Sequence, residues 1–387
     1  MRRAYLDNNA TTPLLPPVLE AMQPYFIEQF GNASSVHHHG QQTRAAVEAA
    51  RESVAALLGC RAAEVVFTSG GTEADNLALF GIVKPGDHVI TSTIEHDAVL
   101  NTCKRLTAVG CEITYIPVDG QALVDPADVK RALRPNTRLV SVMMANNETG
   151  VLQPVEEIGR ICGEADVYFH TDAVQAAGKA PIDVKGIGCD LLSISGHKIH
   201  APQGVGALYV HKGTLLQPMI YGGRHERSRR AGTENVAGIV GLGKAAEIAR
   251  AGFGNGEVDR IRQLRDRVEK TITSEIESVA VNSGQAPRTP NTSNIRFDFI
   301  EGEAMVIALD LRGVAVSTGA ACSSGATEPS HVLTAMGLSA DQARGSIRFS
   351  LGKQNTSEDV DLLLSVLPET VARLRELSPV YNKAVSS

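Results

Sequence analysis

Short β-branched runs alternate with amphipathic stretches through the first two-thirds of this chain. Residues 65–67, 88–90, 113–116, 139–142, 167–170, 191–194 and 207–210 are brief, nearly all-apolar runs, as expected of strands covered on both faces. Between most of them, residues 44–58, 72–80, 96–108, 126–133 and 155–162 place apolar side chains three and four positions apart, which predicts helices. Such alternation builds a mostly parallel, seven-stranded sheet inside one large α/β domain. The glycine-rich break Ala251-Gly252-Phe253-Gly254-Asn255-Gly256 then separates two helical patterns and marks a domain boundary. A smaller α+β domain is expected beyond it, with helices over 257–277 and 357–377 and strands over 293–299, 314–317 and 346–351.

Composition narrows the class. With 387 residues, 43% of them apolar, the chain can bury a large core and form about two domains. A net charge of −6 without long charged blocks gives no general attraction for nucleic acid or acidic membranes. The amino terminus lacks the apolar stretch of a secretory signal, and no run approaches about 18 uninterrupted apolar residues, so the expectation is a cytoplasmic protein with no membrane or nucleic-acid partner. Six cysteines, at 60, 103, 111, 162, 189 and 322, form no CxxC pair and read as reduced thiols. No metal is expected, because His37-His38-His39 has no Cys, Asp or Glu cluster at ligand spacing. Gly238-Ile239-Val240-Gly241-Leu242-Gly243-Lys244-Ala245 nearly spells a phosphate-binding loop, but it follows no convincing strand and reads better as a tightly packed helix. A nucleotide-dependent oxidoreductase would have to rest on that string. The basic run from Arg224 to Arg230 is interrupted by glutamate and has no aromatic platform for bases.

Two segments bring reactive groups to strand ends. Thr171-Asp172-Ala173-Val174-Gln175 and Ser195-Gly196-His197-Lys198 each close an apolar run, and open α/β sheets place their chemistry at the carboxyl ends of strands. Asp172 could keep a pyridoxal ring nitrogen protonated, and Lys198 could hold its aldehyde as a Schiff base; a helix cap and a solvated loop would suit the same pair. Thr68-Ser69-Gly70-Gly71-Thr72-Glu73 follows a strand and opens a helix, so Gly71 and Thr72 can cradle a phosphate. One helix terminus contributes only about 0.3–1 kcal/mol, so further donors are needed, and Ser195, His197 and Thr233 can supply them. His96, after the strand 88–90, suits ring stacking and proton transfer at neutral pH. Asn147 also ends a strand, and Arg348, opposite Ile347 and Phe349 in a strand, can grip a carboxylate with both arms. Cys322 lies in a run of small residues without a bulky anchor, expected to be mobile and exposed; its thiol would need activation to react at neutral pH.

Taken together these motifs resemble the NifS/IscS cysteine desulfurases, pyridoxal phosphate enzymes of fold type I within the class V aminotransferase group. The resemblance runs from Tyr5-Leu6-Asp7-Asn8-Asn9-Ala10-Thr11-Thr12 to Ile347-Arg348-Phe349-Ser350-Leu351, and the loop Gly319-Ala320-Ala321-Cys322-Ser323-Ser324 is similar to the NifS/IscS branch. It implies that Lys198 binds the cofactor aldehyde, Asp172 the ring nitrogen and Gln175 the ring hydroxyl, with His96 on the ring. It implies that Gly71, Thr72, Ser195 and His197 hold the phosphate and that Thr233 reaches the phosphate of a second subunit in a homodimer. Asn147 and Arg348 would bind substrate L-cysteine. Cys322 would take its sulfur as a persulfide, releasing L-alanine, for an iron–sulfur scaffold or another sulfur acceptor. The family pattern further implies a large domain over 15–252 and a small one built from 1–14 and 253–387. Ala320-Ala321, where many relatives have Ser-Ala, is a conservative departure. The chain ends at Ser387 without the longer tail that some members use to dock a scaffold, which leaves the acceptor open. A selenocysteine lyase, or a related class V enzyme in which Cys322 is incidental, is the alternative.

Overall fold

The computed structural model describes residues 2–319, 328–379 and 381. Its twelve strands are β1 (Ala4–Tyr5), β2 (Val65–Thr68), β3 (His88–Ser92), β4 (Glu112–Ile116), β5 (Thr137–Ser141), β6 (Tyr168–Asp172), β7 (Leu191–Ser195), β8 (Gly206–Val210), β9 (Val279–Asn282), β10 (Thr292–Phe297), β11 (Val314–Ala315) and β12 (Ser346–Ser350). Seven form one sheet in the order β2-β8-β7-β6-β5-β3-β4. Only β8 runs against its neighbours, so the sheet is mostly parallel. Strands β2, β3, β7 and β8 are buried at every position, because helices cover both faces. At the edge, β4 leaves Glu112 and Tyr115 exposed.

The near-phosphate-loop string lies inside the helix Val236–Gly252, which packs against the helix His38–Leu58. A Cβ on Gly243 would come within 2.6 Å of the Ala50 Cα. Those glycines let two helices touch, and they follow no strand, which removes the basis for a nucleotide site there.

The remaining strands build a smaller unit. β12, β10 and β9 form an antiparallel sheet, and β1 pairs in parallel with β11. Their core joins Ala4 and Leu6 to Ile261, Val268, Phe297, Phe349 and Leu363. The helix Gly302–Leu311 belongs to this unit; its residues are apolar nearly all round, so no periodicity announced it. Strand β9 is short and half-exposed and left an equally faint pattern. A further cluster, in which Ile94, Met143 and Val151 meet Val332, Leu333 and Met336, ties the smaller unit to the large sheet. No helix among the described residues is long and apolar enough to cross a membrane.

Candidate active site

The carboxyl ends of β6 and β7 lie side by side, with Asp172 opposite Ser193 in the parallel register. Beyond Ser195 the chain makes a tight turn over Gly196–Lys198. Asp172 and Lys198 thereby line one cavity of about 280 Å³, together with Gly71, Thr72, His96, Asn147, Gln175, Ser195, His197, Gly319 and Arg348. Asp172 Oδ1 accepts the Val174 amide at 2.8 Å. Burial raises this carboxyl, while His96 and Lys198 oppose the rise; a cationic N–H bound there would lower it further. Lys198 Nζ donates to the carbonyls of Asn9 and Ala10 at 2.5 and 2.7 Å, which fix its direction. Gln175 Nε2 donates to Asn9 O, and its Oε1 accepts from Lys179 Nζ at 2.7 Å.

Opposite these groups the helix Gly71–Ile82 starts directly after β2, so its first N–H groups have no acceptor within the helix and face the cavity end of the sheet. Close approach requires glycine twice. A Cβ on Gly71 would sit 2.8 Å from Val174 Cγ2, and one on Gly206 would sit 2.7 Å from the Gly70 Cα. Ser195 is buried beside this turn. The His197 ring lies 3.1 Å from Thr11 Oγ1, and burial together with Lys198 pushes its pKa down to about 4, so it is neutral at pH 7. Thr233 is exposed and does not line the cavity of its own chain. Within its own chain it therefore does not join Ser195 and His197 as a cavity-lining donor. Arg230 itself clamps Glu73 at 2.9 Å in the first helical turn.

His96 caps the helix Asp97–Ala108, its Nδ1 accepting the Ala98 amide at 3.1 Å. That bond leaves the neutral ring's proton on Nε2. Arg348 projects from β12 on the face opposite Ile347 and Phe349. It donates to Asn147 O at 2.9 Å and to Asp7 Oδ1 at 2.7 Å, and its buried Nε has no hydrogen-bond partner among the described residues. Cys322 lies outside the described residues.

Several contributors escaped sequence reasoning. Asn9 is a hub: its amide donates to Asn147 O and Thr292 Oγ1, and its oxygen accepts from Asn291 and Lys179. Asp75, one helical turn after Gly71, lines the same cavity. Its Oδ1 has no hydrogen-bond partner among the described residues and stands 3.6 Å from His170 Nε2. Burial and the nearby Asp172 raise the Asp75 carboxyl, which favours its protonated form, and burial pushes His170 down to about 3, so its ring is neutral at pH 7. Glu95 is fully buried and pushed up to about 8. The four-residue spacing from Gly71 to Asp75 was the one readable sign.

These residues fit pyridoxal phosphate. The cavity offers a buried carboxylate for a cationic ring nitrogen, an amine for an aldehyde, a glycine-lined helix terminus for a phosphate, and an unpartnered guanidinium nitrogen for a substrate carboxylate.

The pattern of the Aminotransferase class-V family matches residues 4–363. The cysteine desulfurase IscS of Dictyoglomus turgidum is 50% identical over 382 residues, covering 98% of this chain and 97% of that protein. A solved NifS-like protein superposes with a TM-score of 0.90 at 37% identity, covering 96% of this chain and all of the other. A structure described as SspA in complex with cysteine gives a TM-score of 0.81, also at 37% identity, covering 91% of this chain and 100% of that one.

Proposed function

Because the chain belongs to the Aminotransferase class-V family, we propose that it draws sulfur from L-cysteine onto Cys322, releasing L-alanine. It is a pyridoxal phosphate-dependent enzyme of the cysteine desulfurase type. The observation that supports this reading most strongly is the convergence of Lys198, Asp172, the Gly71-Thr72 turn and Arg348 on one cavity.

When bound, the pyridoxal group supplies an electron sink and a carbonyl for amine exchange. Lys198 Nζ holds that carbonyl, and Asp172 holds the ring nitrogen in its protonated form. Gln175 Nε2 donates to the ring hydroxyl, and Gly71, Thr72, Ser195 and His197 hold the phosphate. His96, which lines the cavity, would stack against the ring and carry a proton at Nε2. Arg348 orients the substrate carboxylate, aided by Asn147.

Cys322 then attacks that sulfur. A sulfur–sulfur bond forms, the carbon–sulfur bond breaks, and its electron pair stays on carbon, which takes up a proton. One cysteine and one thiol become one alanine and one persulfide, with no external oxidant. The persulfide passes to an iron–sulfur scaffold or another sulfur acceptor in the cytoplasm.

The reading extends to two domains, 15–252 and 1–14 with 253–387, and to a homodimer. Phe26, Ile27, Phe30 and Tyr221 are large apolar side chains left exposed, and covering them by a second chain would remove apolar surface from water. A cleft of about 540 Å³ separates Ala33 and Ser34 from Arg224 and Arg227. A second chain covering this face would bring Thr233 to the neighbouring cradle. The test is direct: holoenzyme incubated with L-cysteine forms alanine, and the peptide containing Cys322 gains one sulfur atom by mass spectrometry. Alanine formation with unmodified Cys322 would overturn the proposal.

A further inference from the structure

Glu148 sits in the loop after β5, fully buried, one residue beyond the Asn147 carbonyl that Arg348 grips. Its backbone is fixed first. Asn146 Oδ1 accepts the amides of Glu148 and Thr149 at 2.9 Å, and Asn294 Nδ2 from β10 donates to Glu148 O at 3.3 Å. The side chain therefore points where the loop dictates. There it meets two remote parts of the chain at once.

Ser330 Oγ donates to Glu148 Oε2 at 2.6 Å and also caps the helix His331–Ala335 by accepting the Leu333 amide. On the other side, Gly319, in the left-handed region at φ +90°, lies flat against the same carboxylate: a Cβ on it would come 3.1 Å from Glu148 Oε2 and 3.5 Å from Glu148 Cβ. Gly319 is further held by its amide on Ser317 Oγ and by Arg348 Nη1 on its carbonyl. His331 Nε2 bonds the Glu95 carbonyl at 3.0 Å.

Residues 319 and 330 could stand about 36 Å apart if the chain between them were extended. Instead both rest on one buried carboxylate beside the substrate-binding pair. The residues between them include Cys322, three positions after Gly319, and Gly319 itself lines the cavity.

We propose that Glu148 is a positioning residue for sulfur transfer, fastening both stems of the cysteine segment to the Asn147–Arg348 substrate site. The proposal rests on Cys322 being the sulfur acceptor. A carboxyl group suits the task because one oxygen takes the short Ser330 bond while its small, flat face admits the Gly319 backbone. Loss of either contact leaves the stems apart and lowers the local concentration of the thiol at the substrate. It changes cofactor and cysteine binding little, because Glu148 Oε2 meets Arg348 only by way of the Gly319 backbone and neither Glu148 nor Ser330 lines the cavity.

The test uses holoenzyme variants Glu148→Ala, Glu148→Gln, Ser330→Ala, the double Glu148→Ala/Ser330→Ala and Cys322→Ala. Single-turnover alanine release at saturating cysteine is measured beside spectral titration of cysteine binding. Ser330→Ala and Glu148→Ala should each slow release at least about tenfold, as loss of one buried hydrogen bond that leaves its partner unsatisfied implies, with cysteine affinity within about threefold of wild type. Glu148→Gln should keep most of the rate, since its amide oxygen still accepts the Ser330 hydroxyl. The double variant should be no slower than the slower single one. Wild-type rates in both alanine variants, additive losses, or a loss confined to cysteine affinity would each overturn the proposal. If Cys322→Ala instead releases alanine at the wild-type rate, the sulfur-acceptor reading fails first and takes the proposal with it.

Discussion

Arg348→Lys isolates the recognition of the substrate carboxylate. Arg348 is only 2% exposed, and its neighbours Ile347 and Phe349 are locked in the smaller unit's core, so the strand itself should hold. One guanidinium nitrogen is committed to Asp7 Oδ1 and another to Asn147 O, while Nε has no partner among the described residues. A bidentate grip on a carboxylate would use Nε and one of the terminal nitrogens. Lysine keeps the charge but cannot present two parallel donors, so one charge-assisted bond is lost. Such a bond is worth about 1.5–3 kcal/mol, which is about 10- to 150-fold in affinity. Spectral titration of the holoenzyme with L-cysteine should therefore show affinity weakened within that range, while the absorbance of bound cofactor is unchanged. Cysteamine, which lacks the carboxylate, should bind the variant and the wild type alike. The reasoning is refuted if Arg348→Lys binds cysteine as tightly as wild type, or if its preference for cysteine over cysteamine is undiminished.

Other outcomes follow from the same structure. Arg51 and Glu226 form a buried two-pronged pair at 2.7 and 2.8 Å; Arg51→Met should cost about 3–5 kcal/mol by stranding the carboxylate, and adding Glu226→Gln should recover part of it in chemical denaturation. An Arg51→Met midpoint equal to wild type would contradict this. Gly206→Ala drives a Cβ into the Gly70 backbone at 2.7 Å, so cofactor retention after dialysis should fall, with about 1–3 kcal/mol lost in stability; full retention would refute the cradle geometry. Burial pushes the Glu95 carboxyl up to about 8, above an unfolded value of about 4.3. The folded state thus binds a proton that the unfolded chain has released, and stability from this group is full below about pH 4.3 and drains as pH rises to about 8. Glu95→Gln should flatten that fall in urea denaturation between pH 5 and 8; an unchanged slope would sink the assignment.

Much of the large sheet was legible because its strands are short, apolar and fully buried, so their boundaries stand out from the amphipathic helices between them. The groups that close those strands, such as Asp172, Ser195 and Lys198, were legible for the same reason: a reactive side chain ending an apolar run has few structural purposes. Asn9, Lys179 and Glu148 were not. Each gains its importance from partners far along the chain, as Asn9 does from Thr292 and Glu148 from Ser330, and no local pattern encodes such meetings. Asp75 lay between these cases, visible only as a carboxylate one turn after Gly71 on the face that continues into the apolar part of the helix. Thr233 is exposed and does not line the cavity of its own chain, so the sequence motif alone gives no sign of which cradle it serves.

The measurement that bears most directly on the whole account is a single turnover of Cys322→Ala with L-cysteine, followed by absorbance and alanine release together. The account predicts that the variant keeps the cofactor absorbance and its change on adding cysteine, because Lys198, Asp172 and Arg348 are intact, and that alanine release is lost. Alanine released at the wild-type rate would show that the sulfur leaves by a route that does not need Cys322.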